Sequence, residues 1–69
     1  MEVLRLEIAG QTYIAKETFR DDYVLYQIEK DDKFLCTIGL NEDAVWESVE
    51  DVDQDLVKEI GKQIETLML

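Results

Sequence analysis

In the run Asp53-Gln54-Asp55-Leu56-Val57-Lys58-Glu59-Ile60-Gly61-Lys62-Gln63-Ile64-Glu65-Thr66-Leu67-Met68-Leu69, apolar positions fall at 56, 57, 60, 61, 64, 67 and 68. The spacings of one, three, one, three, three and one put them on a single stripe at helical period. Asp53 or Asp55 suits the start, because a carboxylate there accepts from backbone N–H groups that have no helical partner and faces the positive end of the helix dipole. No proline interrupts the run. The spacing predicts a helix over 54–68. A helix of about 16 residues is roughly 24 Å long, which matches strands of about seven residues at about 3.3 Å each. The remaining residues read as the sheet on which it lies.

Working outward, four segments alternate with the period of half-buried strands. Strands are expected at 3–8, 12–19, 23–29 and 34–40, with a short strand or extended segment at 44–47. In the first hairpin Gly10 supplies the turn. Either two-residue loop pairs even positions with odd ones, placing Leu4, Leu6 and Ile8 on a face with Tyr13, Ala15 and Phe19. Val24, Tyr26 and Ile28 share a face in the third strand, and Phe34, Cys36, Ile38 and Leu40 in the fourth. A three-residue loop at 31–33 brings these two sets together by pairing Ile28 with Cys36, Tyr26 with Ile38 and Val24 with Leu40, whereas a slip of one residue would spoil the face. Trp46 is expected to close one end of the core. Gly61, on the apolar stripe, costs about 1 kcal/mol relative to alanine in a helix, so it predicts close approach of the helix backbone to the sheet or to a partner helix. The expectation is a single α+β domain over 1–69: an antiparallel β-meander of four to five strands with one C-terminal α-helix packed across one face.

The run Gly10…Tyr13, Tyr26…Ile28, Phe34-Leu35-Cys36-Thr37-Ile38, Trp46 and Ile60-Gly61…Ile64-Glu65 resembles small uncharacterised bacterial proteins of β-meander-plus-C-terminal-helix design. The resemblance spans most of the chain and is carried by core and turn positions. It implies a fold and no activity.

Composition narrows the function. Sixty-nine residues allow one core, and domains of this size bury only about 60% of their unfolded surface. The usual staples are missing: Cys36 is the one cysteine and there is no histidine. A homodimer is therefore a reasonable expectation. Seventeen acids against seven bases make a net charge of −10, of which residues 42–69 carry −7. Such a surface repels nucleic acid and anionic membranes and attracts basic proteins or cations. The N-terminal Met1-Glu2-Val3-Leu4-Arg5-Leu6 lacks the basic and long apolar regions of a signal peptide, and no apolar run approaches the ~18 residues of a membrane span. A cytoplasmic location is expected.

No catalytic pattern emerges. Asp51-Val52-Asp53-Gln54-Asp55 opens like a calcium loop, but the sixth position is Leu56 where glycine belongs, and the twelfth is Lys62 where a bidentate glutamate belongs. Cys36 has no histidine base and alternates with core residues, so an inert buried thiol is expected. Among 17 acids, carboxylate pairs arise by chance. No catalytic residue, metal or cofactor is expected, and the chain reads as a non-enzyme.

Two surface features remain. Tyr23 and Leu25 lie opposite the apolar set of their strand, and with Val3, Ile14 and Leu35 they form a candidate interface on the sheet face that the helix leaves open. Glu47, Glu50, Asp51, Asp53 and Asp55 form a candidate acidic patch. The leading expectation is a small acidic protein-interaction module that binds a protein partner or itself through a sheet face or edge. The alternative is an acidic decoy, or an immunity- or antitoxin-like protein, that occupies a basic protein partner.

Overall fold

The computed structural model describes residues 2–21 and 23–68. Five strands, β1 (Val3–Ile8), β2 (Gln11–Arg20), β3 (Tyr23–Lys30), β4 (Lys33–Leu40) and β5 (Trp46–Ser48), are followed by the helix α1 (Gln54–Met68). The strands form one antiparallel sheet in sequence order, the expected α+β meander. β5 begins two residues later than the expected 44–47 segment. The Asn41 side chain is the reason: its Oδ1 accepts from the backbone N–H of Asp43 at 2.8 Å and of Val45 at 3.0 Å. With Ala44 in the left-handed region at φ 60°, residues 41–45 wrap into a loop and pairing resumes at Trp46.

Turn geometry sets the register. Ile8 pairs with Gln11 across Ala9-Gly10, where both residues have positive φ, 52° and 79°. That is the type I′ form whose twist matches the strands it joins. At the β3–β4 hairpin the expected pairs Ile28–Cys36 and Tyr26–Ile38 form, but by a different device from the three-residue loop. The turn is the two-residue Asp31-Asp32, with φ 54° and 63°, closed by Lys30 opposite Lys33. A β-bulge then places one extra residue in β4 between the Glu29–Phe34 and Ile28–Cys36 pairs. The bulge restores the apolar face beyond it and turns Phe34 off that face, opposite Glu29. Phe34 is therefore exposed, not part of the core.

The core comprises Leu6, Tyr13, Ala15, Tyr26, Ile28, Cys36 and Ile38 from β1–β4, Trp46 from β5, and Val57, Ile60 and Ile64 from α1. Asp53 caps the helix: its Oδ1 accepts from Asp55 N–H at 3.0 Å, and its carbonyl accepts from Val57 N–H. α1 packs against β1, β4 and β5. Gln63 Nε2 donates to the Glu7 carbonyl of β1 at 2.8 Å, while Gly61 and Glu65, two residues to either side, meet Trp46 of β5. In a flat sheet the first and fifth strands would lie about 19 Å apart at ~4.8 Å per strand. A helix only about 10–12 Å across touches both, so the sheet curls around it.

The helix thus fills the seam between the two edge strands and stops short of the β2–β3 corner. Phe19, Val24 and Leu40, expected in the core, are 67%, 45% and 47% exposed, and Leu67 and Met68 on the last turn of the helix stripe are also exposed. Among the described residues, no helix is long and apolar enough to cross a membrane.

Candidate functional site

On the sheet face away from α1, a hollow of about 610 Å³ opens beside the β4–β5 connection. Its floor is Gly39. A Cβ built there would lie 2.6 Å from Leu25 Cδ2, so Leu25 leans across the glycine. A glycine inside a strand often marks such an approach. Tyr23 stands at one side and Val49 at the other, both largely exposed. Glu42, Asp43 and Glu47 supply an acidic rim. The same Asn41 that shapes the loop donates from Nδ2 to Glu47 Oε2 at 3.3 Å, tying the rim to the strand end. No lysine or arginine lines the hollow among the described residues.

The candidate interface is divided by the fold. Tyr23 and Leu25 come together in this hollow. Val3 is exposed on the edge strand opposite Lys16, and Ile14 is half-buried between Arg5 and Glu29. The Lys16–Glu29 ion pair, 3.0 Å long, lies in this polar part of the face. Leu35 is at the bulge and packs against the buried cluster.

The candidate acidic patch also separates into roles. Glu47 is on the rim of the hollow. Glu50 Oε1 accepts from Thr37 N–H at 2.8 Å, so its carboxylate serves the β4 ladder just past the end of β5. Asp53 is the helix cap and Asp55 sits in the first turn. Asp51 is exposed. Gly39, Asn41, Glu42, Asp43 and Val49 belong to the hollow and were absent from the sequence-derived set. The strand glycine, followed two residues later by an Asx-turn former, is the signal that could have found them.

Cys36 is fully buried. Burial pushes its thiol above the ordinary value of 9.0; the Ser48 hydroxyl, which favours the thiolate, offsets part of this, and the Glu50 carboxylate adds to the rise. Tyr26 is likewise raised, first by burial and then by the charges of Glu17 and Glu2. Among the described residues, no three His, Cys, Asp or Glu side chains gather into a metal-binding group.

Comparison of the chain with protein-family models, with curated proteins and with solved structures found no match.

Proposed function

We propose that this chain is a small acidic protein-interaction module that receives a protein partner on the open face of its sheet, at the Tyr23–Leu25 hollow. One observation carries the reading. Exposed Tyr23 and Val49 flank a hollow whose floor is a strand glycine with Leu25 laid across it, on a face whose centre is otherwise polar. Exposed apolar residues grouped around a concavity are the usual mark of an interface. A face supports the reading better than an edge does. Gln63 occupies the Glu7 carbonyl of β1 and Gln54 occupies the Trp46 carbonyl of β5, at 2.8 and 2.7 Å, which blunts both edges against strand addition. The buried thiol with a raised pKa favours binding over nucleophilic chemistry.

The decoy reading keeps one observation in its favour. Glu42, Asp43, Glu47, Glu50, Asp51, Asp53 and Asp55 are all exposed along the β5 edge and the approach to α1, with no basic residue among positions 41–57. Affinity capture at low and high salt, with sedimentation to read self-association, separates the two. The module reading expects a partner, or a second copy, that survives high salt and is lost on Tyr23→Ser with Leu25→Ser while the circular dichroism is unchanged. A basic partner that washes off in salt and ignores those substitutions would replace it with the decoy reading, since exposed charge pairs are screened beyond about 8–10 Å.

A further inference from the structure

The helix covers the core incompletely, and what it leaves open is a second apolar concavity on the other side of the sheet. Phe19 pairs with Val24 and Leu40 pairs with Trp46. The β3–β4 register, continued two residues past Tyr26–Ile38, sets Val24 beside Leu40. These four side chains form one row across β2, β3, β4 and β5. Under the last turn of α1 the row becomes a groove of about 470 Å³, lined by Val24, Tyr26, Leu40, Trp46, Ile64 and Met68. At its deep end the Tyr26 and Trp46 rings meet at 6.0 Å and a tilt of 54°.

The electrostatics of the groove have one sign. Glu17, the cross-strand partner of Tyr26, lines one side. Glu65 lines another and accepts from Trp46 Nε1 at 2.8 Å. The last turn of α1 holds no lysine or arginine, so the negative end of the helix dipole is uncompensated by a side chain of its own turn. Among the described residues, none that lines the groove is cationic. A second copy would bring the same carboxylates and another charge of −10 to the contact.

We propose that this groove is a docking site for a partner segment that presents a large apolar side chain next to a lysine or arginine. The apolar group fills the space over Val24, Leu40 and Met68. The cation sits between Glu17, Glu65 and the carbonyl end of α1. The site lies on the opposite face from the Tyr23–Leu25 hollow and stands whether or not that hollow is used. Tyr23 and Leu40 border both concavities and are therefore left out of the substitutions.

Trp46, the one tryptophan of the chain, is in the groove and reports on it directly. The experiment titrates the whole protein with a tryptophan-free amphipathic peptide of leucine and lysine, following Trp46 emission. Two control peptides are used: one with glutamate in place of lysine, and one with serine in place of leucine. The expected result is a saturable one-to-one shift with the leucine–lysine peptide and none with either control. Affinity should fall by about tenfold or more in the doubles Val24→Ser/Met68→Ser and Glu17→Gln/Glu65→Gln, and stay unchanged in Leu25→Ser. Glutamine at 65 retains an acceptor for the indole, so the charge-neutral double tests the field without removing that bond. Equal binding of the serine–lysine peptide, or affinity untouched by both doubles in folded protein, would overturn the proposal. So would a dimer in sedimentation that Val24→Ser/Met68→Ser disperses, because the groove would then belong to a second copy.

Discussion

Cys36 is the residue whose chemistry its surroundings most plainly restrain. Its thiol is raised by burial and by Glu50, so the folded state favours the protonated form more than the unfolded chain does. Above the unfolded value the unfolded chain releases its proton first, and stability falls as pH rises. The contribution is fully present below about pH 9 and is lost through the raised folded value. Tyr26, raised from 10.0, adds a second loss of the same sign at higher pH. Chemical denaturation between neutral pH and the alkaline range should show this decline, and Cys36→Val should remove the earlier part of it. A Cys36→Val profile that matches the wild type would exclude the thiol as the cause. The same burial makes the thiol inert, because the thiolate is the reactive form.

At the scale of elements, the contact that decides how α1 sits is Gly61 against Trp46. A Cβ on Gly61 would overlap the indole at Cγ, Cδ1 and Cδ2, so the glycine forgoes about 1 kcal/mol of helix propensity to let β5 and α1 close on each other. Overpacking a core of this kind costs about 1–3 kcal/mol, which offsets or exceeds the propensity gain. Gly61→Ala should therefore fail to raise the melting temperature, and Gly61→Leu should lower it clearly, with altered Trp46 emission in both. A stabilised Gly61→Ala would show that the indole moves aside freely. The hairpins show a related balance between local and tertiary preference. Ala9, Asp31 and Asp32 all take positive φ, a conformation that non-glycine residues adopt at a cost. They hold it because the strands on either side have apolar faces to align.

For the whole molecule, one copy already reaches the compactness of a folded domain. Its radius of gyration is 11.0 Å, against about 11 Å expected for this length. The buried cluster is built from residues of all five strands and the helix of one copy. Against that core works a net charge of −10, with only the Lys16–Glu29 and Arg5–Glu7 ion pairs among the described residues. Arg5–Glu7 is highly exposed and 3.7 Å long, which contributes little. Self-repulsion of this size destabilises a compact state and is screened by salt. The melting temperature should therefore rise between low and physiological sodium chloride. A fall would mean that attractive pairs outweigh the repulsion.

Local periodicity carried much of this fold. Alternation at Leu4-Leu6, Tyr26-Ile28 and Cys36-Ile38, the stripe Val57-Ile60-Ile64 and the cap at Asp53 are properties of neighbouring residues, so they determine strand, helix and buried face without knowledge of distant contacts. The glycine on the stripe likewise announced a close approach before its partner was known. What the tertiary structure alone decided is how far those faces are covered. Phe19, Val24 and Leu40 keep the alternation of core residues yet stand exposed, because the sheet curls and one helix fills only the seam between β1 and β5. The bulge that turns Phe34 outward, and the meeting of Tyr23, Leu25, Gly39 and Glu47 in one hollow, have the same origin. Which side chains share a concavity depends on strand order, twist and the reach of a helix, and these are settled by packing across the whole chain.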